Sequence, residues 1–498
     1  RKMSRSHSPA GFSAPKIQQL PLLLTDLPSE LVAQVLGLLD DRSLALAVPT
    51  CRAFRDSLMP RLWLSRLRQR FPHSSWDACG APCRTLACLS LLHKTAWQGA
   101  RAQGTPPADR GGHSCIPLRG GRWQIVFGGA NGDALFSDAY ALLTPAATAD
   151  ASFRWQPLPL EGGPCARWAH RCVSYLDSVA IIVGGHSGMR GALGDVAVLA
   201  DVAEPSGGAP CPSSLRWLGA GQLRSSTGPA PRYGHAACCR GDALWVLGGI
   251  VGGPYDAQAS ADLHEARLSH TGARTDFVLE LCWSERRPAG TPPAACFGHS
   301  LVEAAEALWV FGGRRQPLLA PPHLAMQASS ALHTLSGLGA GGALRWEVLH
   351  TEGRPPSPRA FHACAAVGPS LLVMGGESGL PSGTDDIVYL SDLHALRCGP
   401  EGLRWEQLQP EAPAGVALAP ASSLAALCLV DAHVCVFGGF NTMTEADLGA
   451  LHLLALCPEA SEAGAARAGG AGPGGAPGGA VGVGGEAGLD KSLEDEYV

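Results

Sequence analysis

Trp123-Gln-Ile-Val-Phe-Gly-Gly129 is a short apolar run closed by two glycines, and five later stretches share its form. They are Ala180-Ile-Ile-Val-Gly-Gly185, Leu244-Trp-Val-Leu-Gly-Gly249, Leu308-Trp-Val-Phe-Gly-Gly313, Leu371-Leu-Val-Met-Gly-Gly376 and Val434-Cys-Val-Phe-Gly-Gly439. Their first glycines follow one another at steps of 56 to 64 residues, so the chain reads as an array rather than as a set of separate domains. Two residues without Cβ permit positive φ and close packing where a strand leaves its sheet. No GxGxxG or P-loop pattern leads from a strand into a helix here, so the glycines are assigned backbone geometry and not phosphate binding.

Three further markers keep the same time. Trp97, Trp155, Trp217, Trp283, Trp346 and Trp405 each precede the next double glycine by 29 to 33 residues. His113, His170, His235, His299 and His362 stand 13 to 15 residues before it, and the sixth repeat lacks this residue. After each glycine pair comes a strand-like segment: Asp138–Leu142, Asp195–Leu199, Asp262–Ala266, Ala331–Leu335, Asp392–Leu396 and Gly449–Leu453. Each repeat thus holds four short strands, and six such repeats predict a mainly β, six-bladed propeller over residues 95–457. The last glycine pair has no tryptophan strand after it, whereas Trp97 has no glycine pair before it. The strand near Trp97 is therefore expected to complete blade six and shut the ring. These markers resemble kelch repeats, with loops that lengthen the usual period.

Ahead of the array the composition differs. Residues 1–19 read as a disordered leader, and a first residue of Arg1 leaves the sequence open to an upstream segment. Within residues 20–66, Leu27, Leu31, Val35 and Leu39 recur at helical spacing with Leu36 beside them, and Pro28 suits a first helical turn. A helix over about 28–39 and two or three short ones after it are expected, with more apolar side chain than so small a bundle buries. Leu27-Pro-Ser-Glu-Leu31, Val35-Leu36, Leu39, Ser43-Leu44, Cys51-Arg-x-Phe54 and Leu62-Trp63 together resemble an F-box. The resemblance implies that Leu27, Pro28, Leu31, Val35, Leu36 and Leu39 dock on a Skp-family adaptor and, through it, on a cullin-RING ubiquitin ligase. Pro49-Thr50 replaces the family's aliphatic pair, which shortens or bends the second helix. Capping of the array is the alternative role for these helices. Residues 67–94 read as a helical linker, and 458–498 as a Gly/Ala-rich disordered tail with an acidic end.

Composition removes several function classes. Hydrophobic residues make up 46% and charged ones 16%, with a net charge of −5, which suits a folded body and gives no nucleic-acid surface. No apolar run reaches the roughly 18–20 residues that span a bilayer. The 17 cysteines, with no signal peptide, read as reduced thiols of the cytoplasm or nucleus. Cys79, Cys83 and Cys88 lack a second ligand pair at zinc spacing.

Chemistry is equally sparse. The marker histidines fall one per blade and are read as blade-internal hydrogen-bonding residues, so no metal and no cofactor are expected. No nucleophile, base and orienting acid recur as a set, and a copper-radical oxidase would need Tyr and Cys partners that the chain does not group. What remains is a binding surface. Arg110, Arg167, Arg232 and Arg359 stand three residues before a marker histidine, where the fourth repeat has Cys296. The kelch resemblance sets this position and the loop after the double glycine on one face, with Arg314, Arg315, His186, Glu377 and Asn441. Two roles are open for the arginines: capture of an acidic or phosphorylated degron, or bracing of neighbouring blades. Trp168, Tyr233, Phe297 and Phe361 are aromatic anchors or inter-blade packing. The order of parts resembles the F-box–kelch proteins, including that half of the Adagio/Zeitlupe receptors without their light-sensing domain. This implies a non-catalytic, substrate-recognition subunit of an SCF-type ubiquitin ligase. A kelch scaffold unconnected with ubiquitination is the alternative.

Overall fold

The six apolar runs become the second strands of six antiparallel sheets, and they are almost wholly apolar because neighbouring sheets cover both faces; the exception in the first, the buried Gln124, donates to the Gly121 carbonyl. Trp123–Phe127 and Val179–Val183 are buried at every residue. A computed structural model describes residues 95–456, apart from 100–101, 133, 145–151, 203–211, 254–255, 273–275, 316–326, 340–341, 368–369, 379–386, 400–401, 414–415, 417, 431–432 and 442–448. The expected leader, F-box, linker and tail lie outside the described residues.

Each blade is a four-stranded antiparallel sheet. In blade one the strands are Ser114–Leu118, Trp123–Phe127, Ala139–Leu143 and Phe153–Leu158, in order from the axis outward. The other inner strands are Arg171–Tyr175, Ala236–Arg240, Ser300–Ala304, Ala363–Val367 and Ala426–Val430. Each touches its two neighbours, the sixth touching the first, so the sheets form a ring around an axis. The described part is a mainly β, kelch-like propeller.

Blade six draws on both ends of this region. His433–Phe437 and Leu451–Ala455 supply its middle strands, and Ala96–Gly99 supplies its outer one. The register runs antiparallel from Ala96 opposite Ala455 to Gly99 opposite His452. Trp97 is buried among Leu393, Leu408, Val434, Val436 and Leu454, a cluster shared by blades five and six. Its amide donates to the Glu411 carbonyl, and the Glu411 amide donates to the Thr95 carbonyl, both at 2.8 Å.

The apolar core is divided into clusters that lie between adjacent blades. The cluster between blades two and three is large, whereas that between blades six and one holds Val126, Leu142, Trp155 and Phe437 as its buried residues. Beside it the thiols of Cys115 and Cys428 lie 3.4 Å apart, both free.

Two backbone devices tie the blades together. The first uses the double glycines, all twelve of which have positive φ. In five junctions the second glycine donates its amide to the next blade, as Gly129 does to the Arg167 carbonyl at 2.8 Å. A Cβ on Gly128 would lie 2.8 Å from that same carbonyl, so the close approach excludes a side chain. The second device is a closed belt around the axis. Ala169, Gly234, Gly298, Phe361, Leu424 and Gly112 each donate to the carbonyl of the equivalent residue one blade back, at 2.7–3.1 Å. All six sit in the left-handed region, Ala169, Phe361 and Leu424 without the freedom of glycine.

Candidate functional site

The belt and the glycine pairs set the geometry of one end of the ring, where the arginines were expected to meet a ligand. They do not face outward. Arg110, Arg167, Arg232 and Arg359 are at most 1% exposed. Each guanidinium makes a two-pronged ion pair within its own blade, with Asp138, Asp195, Asp262 and Asp392 respectively, at 2.6–3.1 Å. One nitrogen also donates to the carbonyl of the first glycine, as Arg232 does to Gly248 at 2.9 Å. The Nε donates to the carbonyl two residues back. At least four of the five N–H groups of each are used inside the protein, so these four residues are braces and not substrate contacts, which corrects their placement on a substrate face. Burial pushes Asp262 and Asp392 up, but their hydrogen bonds to arginine and to His264 or His394 pull both well below the usual carboxylate range.

The same pairing is visible in the sequence as joint presence and joint absence. Blades one, two, three and five hold both the arginine and the aspartate of the following strand. Blade four replaces them together with Cys296 and Ala331, and blade six with Ser422 and Gly449.

Arg314 is also committed: it pairs with Glu377 of the next blade at 2.8 Å, and both side chains are largely buried. Burial raises the Glu377 carboxyl, and Arg314 partly offsets this. Arg315 is half-buried and makes no ion pair with a described residue. Asn441 donates to the Ala421 carbonyl at 2.6 Å.

All five marker histidines pack against the first glycine of the preceding blade, two of them hydrogen-bond across that junction, and His299 Nδ1 instead meets Cys296 Sγ of its own blade at 3.4 Å. His170 Nε2 meets Ser114 Oγ of the preceding blade at 3.0 Å, and His362 Nε2 meets Ser300 Oγ at 3.1 Å. All five are buried, and burial first, then nearby arginines, holds His113, His299 and His362 down at about 3. His170 and His235 are likewise well below their ordinary value.

What the end of the ring displays is a set of six cross-strand pairs. In every blade the residue after the arginine position lies opposite the residue after the glycine pair. The pairs are Gly111 with Ala130, Trp168 with His186, Tyr233 with Ile250, Phe297 with Arg314, Ala360 with Glu377, and Ser423 with Phe440. The backbone frame repeats while the side chains do not. Trp168, His186 and Tyr233 form one half-buried aromatic group, with ring centroids 4.9–6.1 Å apart. Phe440 is 39% exposed on the far side of the small Gly111 and Ala130 pair. Phe297 and Phe361 pack on each other at 5.8 Å between blades. This uneven face can offer flat apolar contact to a partner, with little charge left free to capture an anion.

Residues 274–457 match the family model described as the KLHDC2/KLHL20/DRC7 Kelch-repeats domain. The chain is 30% identical to the Rab9 effector protein with kelch motifs of Bos taurus, over 45% of this chain and 53% of that protein. It is 29% identical to acyl-CoA-binding domain-containing protein 4 of Arabidopsis thaliana, over 46% of this chain and 30% of that one. Against kelch domain-containing protein 3 of Bos taurus it is 28% identical, over 33% and 38% of the two chains. The chain thus spans about half or less of these relatives. A solved structure titled "Structure of YjhT" aligns over 70% of this chain and 94% of that one, with TM-score 0.46 and 16% identity.

Proposed function

We propose that the protein is a substrate receptor of an SCF-type ubiquitin ligase. The F-box-like segment, with Leu27, Pro28, Leu31, Val35, Leu36 and Leu39, docks on a Skp-family adaptor, and the kelch-like propeller holds a protein substrate. Ubiquitin transfer is left to other subunits, and the chain itself is non-catalytic. The observation that carries the binding half is the ring of six cross-strand pairs, whose side chains differ on a repeated frame. Substrate contact runs through Trp168, His186, Tyr233 and Phe440, with Arg315, opposite Cys296 in blade four, as the basic residue of the face, instead of through a cluster of arginines.

A second reading, a kelch scaffold without ubiquitination, is favoured by the likeness to a Rab9 effector with kelch motifs. Co-purification of the full chain with a Skp-type adaptor separates the two. Binding that is lost in the double variant Leu31→Asp/Leu36→Asp supports the ligase reading, and an intact chain that ignores the adaptor leaves the scaffold. Trp168→Ala/Tyr233→Ala is expected to release substrate while the adaptor stays bound.

A further inference from the structure

Along the axis, below the backbone belt, lies a cavity of about 210 Å3 that the partner-binding face does not use. Inner-strand residues of all six blades line it, with no carboxylate among them. It contains one cation. Arg171 opens the inner strand of blade two, where the other blades have Ser114, Ala236, Ser300, Ala363 and Ala426. Its Nε donates to the His235 carbonyl of blade three at 2.9 Å, and it makes no ion pair with a described residue. The contrast with Arg110, Arg167, Arg232 and Arg359 is direct, since each of those has its own aspartate.

The surroundings hold further unused donors. His113, His170 and His362 line the same cavity and are 1–6% exposed. Both ring nitrogens of His113, and Nδ1 of His170 and of His362, have no partner. A smaller void of about 20 Å3 under the belt adjoins at Arg171, His113 and His362, enough for about one water. The charge of Arg171 is felt at His170, His235, His299 and His362, which places it near the axis and not inside one blade wall. A guanidinium drawn out of bulk water without a counter-charge is costly, and its planar fork fits the oxygens of a carboxylate or a phosphate.

We propose that this axial cavity is a binding site for a small oxyanion, a carboxylate or inorganic phosphate, held by the Arg171 guanidinium with neutral imidazoles of His113, His170 and His362 as further donors. The site is separate from the partner face, so Trp168→Ala leaves it intact. Isothermal titration of the full chain tests it at pH 7.5, with sodium acetate in one arm and sodium phosphate in the other. Ionic strength is held constant with sodium chloride. The expected result is saturable binding of one of the two, near one site per chain, with affinity falling at least tenfold in Arg171→Gln. Which arm saturates identifies the source of the oxygens. Should circular dichroism show Arg171→Gln unfolded, Arg171→Lys keeps the charge and removes the fork, and a several-fold loss is then expected. No saturable binding in either arm, or an affinity unchanged in a folded Arg171 variant, overturns the proposal.

Discussion

Arg359 and Asp392 show how unevenly a single ion pair divides its burden. The arginine is fully buried, while the aspartate side chain is 26% exposed. Removing the aspartate strands a buried charge, whereas removing the arginine leaves a carboxylate that water can reach. Asp392→Ala is therefore expected to cost about 3–5 kcal/mol in urea unfolding, the range for breaking a buried pair from one side. Arg359→Cys/Asp392→Ala, which copies blade four, should recover at least ~1 kcal/mol of that loss in a double-mutant cycle. Strict additivity of the two single variants would argue against the coupling. The sequence showed the arginines plainly but not their role, because a residue's partner is legible only when absences are read with presences. Cys296 with Ala331, and Ser422 with Gly449, were the informative repeats.

Strands were legible wherever an apolar period met a turn signal, and they were not where a strand is two or three residues long. The double glycines, the tryptophans and the role of Trp97 could be counted from the chain, since burial on both faces leaves a run such as Val179–Val183 without polar interruption. An outer girdle could not be counted. Ala102–Gly104, Leu223–Ser225, Ala289–Gly290 and Glu352–Gly353 each follow the outer strand of one blade and pair in parallel with the outer strand of the next. Such pieces are exposed and carry no periodicity, so only backbone pairing defines them. Gly104, Gly290 and Gly353, all at positive φ against the carbonyls of Trp155, Trp346 and Trp405, were the faint trace of this girdle in the sequence. In blade six the same contact is made by Glu411 on the Trp97 strand. Trp97 is 5% exposed at the centre of that join. Trp97→Ala is expected to lower stability by about 3–5 kcal/mol, the usual cost of truncating a buried aromatic. Equilibrium denaturation measures it, and a loss below ~1 kcal/mol would mean that blade six holds without its outer strand.

Across the whole ring, five neutral histidines sit at blade junctions, and they give the molecule a common response to acid. Their folded values lie well below 6.5, with His113, His299 and His362 at about 3, so the unfolded chain takes up protons that the folded ring refuses. Stability is then complete above about pH 7 and falls as pH drops through 6.5 toward 3, by up to ~1.4 kcal/mol per pH unit for each histidine. Asp262 and Asp392, depressed below the carboxylate range, add a loss of the same sign only below about pH 4. Denaturation midpoints measured between pH 7.5 and 5 should fall steeply, and His113→Phe should flatten the slope by one histidine's share. A midpoint constant over that range would contradict neutral junction histidines. Closure of the ring by Ala96–Gly99 against Leu451–Ala455 also has a consequence in time. A ribosome adds ~5–20 residues per second, so the first strand waits on the order of 20–70 s for its partner to be made. Through that interval the blades accumulate one after another without a shut ring, and a chain cut short by even the last strand leaves an open edge for chaperones or proteases to find.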